Sequence, residues 1–107
     1  MTRFVLSASP LTTDESKAIT DYLLEFKSSG VGWWHWIHGT WLIVDPSGTL
    51  AVDSIRDRVH SIATSASVIV LQVESVTWSG FGPSSDKEGG QNMFRWLRDT
   101  WTRRSSR

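Results

Sequence analysis

The chain has 107 residues, of which 39% are hydrophobic and 11% aromatic, with seven tryptophans, no cysteine and a formal net charge of zero. That length accommodates one core and leaves nothing for a second, and the absence of cysteine excludes disulfides, thiolate metal sites and a cysteine nucleophile, matching a reducing, cytoplasmic setting. No apolar run approaches the ~20 residues of a membrane-crossing helix, and Phe4-Val5-Leu6 falls short of the roughly seven-residue minimum of a secretory apolar region, so neither a membrane partner nor a leader is expected.

Arg3 to Ser9 mixes apolar and small residues and stops at Pro10, which predicts a short strand and its exit. Thr12-Thr13-Asp14-Glu15 then offers a capping box, in which Thr12 accepts from the third helical N–H and Glu15 reaches back. Ile19, Tyr22, Leu23 and Phe26 follow on one helical stripe, and Ser28-Ser29-Gly30 ends the helix with a residue that adopts left-handed geometry cheaply. The next segment, GWWHWIHGTW, holds four of the seven tryptophans over 32–41. It is too rich in Trp and Ile for a loop and is broken by His38-Gly39, so it predicts two strands, 33–37 and 40–44, joined by a tight turn.

Asp45-Pro46-Ser47-Gly48 is a turn by composition. Val52, Ile55, Val59 and Ile62 form the apolar stripe of a second helix. From Ser67 the chain reads VIVLQVESVTW, a β-branched run that predicts a central strand. Gly80 to Gln91 lacks periodicity and predicts a loop; Asn92 then caps a last helix whose stripe is Phe94, Leu97 and Trp101.

The resulting order, strand-helix-strand-strand-helix-strand-helix, predicts an α+β, ferredoxin-like βαββαβ fold: an antiparallel four-stranded sheet with two helices on one face and an added C-terminal helix. It predicts a single domain over 1–104 and a basic tail at 105–107.

Side chains alternate between the two sheet faces, and here both sets are apolar. Trp34 and Trp36 point one way and are expected as core. The other set, Trp33, His35, Leu42, Val44, Val68 and Val70, then needs a cover and is the expected dimer or partner interface. The candidate covers are a second subunit, the last helix of the same chain, or stacked nucleobases.

Charge is distributed unevenly. Residues 95–107 carry Arg95, Arg98, Arg103, Arg104 and Arg107 against Asp99 alone, a local +4 that makes these five arginines the candidate nucleic-acid contacts. Basic residues at a helix C-terminus also complement the helix dipole, so a solubilising end is the competing reading. His35 and His38, three apart near a strand end, do not share a face and are not expected to form a metal pair; His35 is expected to partner buried indoles. His60 is expected on the wet side of the second helix, Asp45 in turn formation, and Glu74 in an ion pair with a partner's arginine. No nucleophile elbow of the form G-x-S-x-G occurs, and Gly89-Gly90 lacks the residues of a phosphate loop. No catalytic residue, metal site or cofactor is therefore assigned.

The Trp33-Trp34-His35 strand, the TW strand start, Ile55-Arg56-Asp57-Arg58-Val59, the Trp78-Ser79-Gly80-Phe81 segment and a final Trp-Leu helix together resemble a family of small bacterial ferredoxin-like proteins labelled SinR-like. That family looks like a distant relative of the CRISPR-associated adaptation ribonuclease and of an antitoxin that cuts toxin messenger RNA. The resemblance runs from Phe4 to Trp101 and implies a dimer packed through the sheets, with nucleic acid as ligand or substrate. In the ribonuclease-like members an Asp at the end of strand 1 binds the metal. Ser9 stands at that place here, and a hydroxyl is a poor replacement for a carboxylate that must hold a hard cation.

The expectation is thus a homodimeric binding protein, associated with nucleic acid and non-catalytic. One alternative is a metal-dependent endoribonuclease using Asp45 or a carboxylate contributed across the dimer. Another is an antitoxin or regulatory subunit that captures a protein partner.

Overall fold

The capping box forms as the sequence predicts. In the computed structural model, which describes residues 1–74, 78–80, 82 and 94–101, the Glu15 amide donates to Thr12 Oγ1 at 3.0 Å and the Thr12 amide to Glu15 Oε1 at 2.8 Å. Helix α1 (Thr13–Leu24) starts there and follows strand β1 (Thr2–Ser9). A 3-10 turn over Lys27–Ser29 tightens its exit, closed by Gly30 at φ 89°.

Strands β2 (Gly32–Ile37) and β3 (Thr40–Asp45), helix α2 (Val52–Ile62) and strand β4 (Ser67–Val73) complete the expected order. The sheet is antiparallel, with strands in the order β2-β3-β1-β4, and the architecture is the α+β, ferredoxin-like one. Helix α2 has no capping side chain at Ala51; Ser54 instead clamps that residue, its Oγ accepting from the Ala51 amide and donating to the Ala51 carbonyl, both at 3.0 Å.

The β2–β3 turn depends on Gly39. Its φ is 92°, and a Cβ there would lie 2.6 Å from the Ala8 carbonyl oxygen of β1. The approach is close because the Ala8 amide donates to the Gly39 carbonyl at 2.8 Å, tying the hairpin tip to β1.

Phe4, Leu6 and Ala8 of β1 and Trp41 and Ile43 of β3 form the core with Ile19, Tyr22 and Leu23 of α1 and Ile55 and Val59 of α2. Trp33, Val68 and Val70 pack against it, partly buried. Burying such side chains contributes roughly 1.5–3 kcal/mol each.

This face assignment corrects the one expected from alternation. The tight turn pairs Ile37 with Thr40, and an uninterrupted ladder would continue with Trp34 opposite Ile43. A β-bulge between Trp34 and Ile37 adds one residue to β2, so Trp34 instead meets Leu42 and Trp33 meets Ile43. One residue of slip exchanges the two faces. Trp33 and His35 therefore face the helices, Trp34 the opposite side, and Trp36 is 47% exposed where a core position was expected. In β4, Val68 and Val70 sit beside Ala8 and Leu6 and also face the helices, leaving Ile69 and Leu71 outside.

The chain divides into two compact units, Met1–Glu74 and Ser75–Arg107. The sheet, α1 and α2 all lie in the first. In the second, the predicted stripe Phe94, Leu97 and Trp101 is buried, and Leu97–Trp101 forms a π-helical turn. The Trp78 and Phe94 rings lie 5.4 Å apart, and Gly80 fits beside Phe94 where a Cβ would meet the ring at 2.7 Å. The expected cap Asn92 and most of the 80–91 loop lie outside the described residues.

Candidate interaction surface

The strand registers define one apolar row across all four strands on the face away from α1 and α2. Trp34 pairs with Leu42, Leu42 with Val5, and Val5 with Leu71. A neighbouring row joins Ile37, Thr40, Ser7 and Ile69. Burial along these rows is uneven. Trp34 is 4% exposed, whereas Leu71 is 49%, Ile69 56% and Ile37 54% exposed. The large exposed apolar side chains on the sheet are thus those of β4 and of the end of β2.

Of the six residues expected at an interface, only Leu42 and Val44 lie on this face. Trp33, His35, Val68 and Val70 lie on the helix side. The residues that sequence reasoning missed, Ile69 and Leu71, alternate with Val68 and Val70. Every one of the four is apolar, so alternation distinguished two sets without indicating which was inside.

His35 belongs to the packing of the helix side. Its ring stacks on Trp41 with centroids 3.9 Å apart and planes 5° from parallel. The Thr40 carbonyl can only accept, so Nδ1 carries a proton and donates to it at 2.9 Å, and Nε2 is hydrogen-bonded to Ser16 Oγ at 3.2 Å. One turn along α1, Thr20 Oγ1 accepts from the Trp41 indole N–H at 3.2 Å. His38 donates from Nε2 to the Leu11 carbonyl at 3.2 Å, so the two histidines serve separate partners and do not converge.

Asp45 is 0% exposed and anchors the turn after β3. Its carboxylate accepts from the Ser47 hydroxyl at 2.6 Å, the Leu50 amide at 2.7 Å and the Ser47 amide at 3.0 Å. Burial alone would raise its pKa, but these bonds, with a further one from the Gly48 amide, outweigh it and hold the carboxyl below the usual aspartate value. Ser9 is exposed at the end of β1, Glu74 is exposed, and His60 is exposed on α2. Among the described residues no cluster of three His, Asp or Glu side chains could hold a metal ion.

Of the basic end, Arg95 pairs with Asp99 at 3.2 Å and Arg98 is exposed, while Arg103, Arg104 and Arg107 lie outside the described residues. Between α1 and α2 a groove of about 440 Å³ is lined by Tyr22, Phe26, Leu50, Ser54 and Arg58. Arg58 lies 4.8 Å over the Tyr22 ring and bonds Glu25 at 2.6 Å, so its charge is already committed within the protein. Burial pushes the Tyr22 phenol up, with Arg58 opposing.

No family model, no curated protein and no solved structure matches the chain. Among the described residues no helix is long and apolar enough to cross a membrane.

Proposed function

We propose that the protein acts by binding and not by turnover, as a homodimer assembled through the exposed apolar side of β4. The observation that carries this is the pair Ile69 and Leu71, 56% and 49% exposed on a strand with no charged residue. Large apolar side chains grouped on one strand are the mark of an interaction surface. The non-catalytic reading is supported at two carboxylate positions. Asp45, the candidate of the nuclease alternative, is engaged by its own turn, and Ser9 offers a hydroxyl where the resembling ribonucleases hold a metal with Asp.

Light scattering tests the assembly. A mass of two chains is expected at micromolar concentration, reduced to one chain in the double variant Ile69→Lys, Leu71→Lys with its circular dichroism preserved. A wild-type monomer would remove the proposal.

Nucleic acid is the second reading, and the five arginines against one aspartate over 95–107 favour it. Binding to single-stranded RNA should weaken with salt, and neutralising Arg103, Arg104 and Arg107 should flatten that dependence. RNA incubated with Mg²⁺ should be cut no faster than with EDTA. Metal-dependent cleavage abolished by Asp45→Asn would establish the nuclease instead.

A further inference from the structure

We propose that two copies pair their β4 strands edge to edge in antiparallel fashion, extending two four-stranded sheets into one of eight strands. This rests on the homodimer reading above and specifies how the same surface works.

The two edges of the sheet differ. β2, at one edge, carries the bulge that interrupts its ladder, and bulges are one means by which proteins keep edge strands from pairing. β4, at the other, has none of those protections. Seven consecutive residues, Ser67 to Val73, pair with β1 in unbroken register, and among the described residues β1 is its only strand partner. It contains no proline and no charged side chain. None of its seven residues is fully buried, although five are Val, Ile or Leu. The main-chain N–H and C=O groups on its outer side point away from β1 and need partners of their own.

A second copy suits that edge in charge and in side-chain order. An uncharged strand paired with itself meets no like charge in any register. Antiparallel pairing centred on Val70 sets Ile69 opposite Leu71 of the second copy, and Leu71 opposite Ile69 of the second copy. These are the exposed pair, and both contacts lie on the face away from the helices. The arrangement is closed by a two-fold axis, so it stops at two chains.

The chain has no cysteine, so a single introduced thiol reports unambiguously. Ile69→Cys and Leu42→Cys, each treated with a short bismaleimide, separate the geometries. In the edge-paired dimer the two β4 strands are ~5 Å apart, whereas the Leu42 positions are separated by five strand spacings, ~24 Å. Bridging is therefore expected for Ile69→Cys and not for Leu42→Cys. Exchange of the outward-pointing amides within 68–72 should also slow at least about tenfold at concentrations where the dimer forms, because an edge bond protects amides that face packing leaves open. A dimer that bridges through Leu42→Cys, with the outward-pointing amides of 68–72 still exchanging freely, would show sheets packed face to face. That would overturn the edge pairing and leave the homodimer standing. A chain that is monomeric throughout would overturn both.

Discussion

Asp45 shows how one side chain fixes a turn and what its chemistry predicts. Its folded pKa lies below the ordinary value, so its stabilising contribution is fully present above the unfolded aspartate pKa of about 3.9 and is lost as pH falls from there through the lower folded value. Asp45→Asn should cost about 1–3 kcal/mol at neutral pH, since it leaves a donor facing donors. The variant's stability should also lack the wild type's decline below pH ~4, measured by urea unfolding from pH 7 to 2. The tryptophans divide just as sharply. Trp41→Ala should cost ~3–5 kcal/mol, because that ring is fully buried, stacked on His35 and bonded to Thr20. Trp36→Ala should change stability by less than ~1 kcal/mol, because nearly half of that residue is in water. Equal losses at both positions would contradict the face assignment.

Among the elements, those with local signals were readable from sequence. Thr12 and Glu15 announce α1, and the stripe through Val52, Ile55 and Val59 announces α2; α1 itself ends at Leu24, and Gly30 closes the 3-10 turn that follows it. The faces of the strands were not readable, for two distinct reasons. In β4 both alternating sets are apolar, so periodicity carries no sign. In β2 a bulge shifts the register by one residue and the hairpin tip meets β1 at Ala8, a tertiary contact, and local composition encodes neither. The interface expected from sequence consequently combined two residues of the outer face with four of the inner one. Gly39 is where that tertiary contact becomes testable. Gly39→Ala places a methyl against the Ala8 carbonyl at a φ of 92°, and should cost at least ~1–3 kcal/mol in thermal or urea unfolding. A variant as stable as wild type would mean that the tip is free of β1.

The molecule as a whole couples folding to assembly if β4 is its contact. A partner that binds the folded chain and not the unfolded one stabilises it by mass action. The Tm should therefore rise with protein concentration across the range where the dimer forms, and the rise should vanish in the Ile69→Lys, Leu71→Lys variant. A Tm independent of concentration in the wild type would argue for a chain that is complete alone. The fold class followed directly from element order, because right-handed crossovers leave few alternatives for this succession of strands and helices. The partner did not follow, since β4 is apolar on both sides and its sequence is the same whether the strand is central or at an edge.

The bulge in β2 also bears on insertions and deletions. Removing Trp36 would leave Ile37 opposite Thr40, His35 opposite Trp41, Trp34 opposite Leu42 and Trp33 opposite Ile43, an unbroken ladder in which Trp33 and Trp34 keep their present faces. A natural homologue one residue shorter at this point would thus lose the bulge and keep the environments of both tryptophans. Residues matched across such a gap would be equivalent in space as well as in sequence. An alignment that closed the gap by sliding the tryptophans one place would instead equate residues on opposite faces of the sheet.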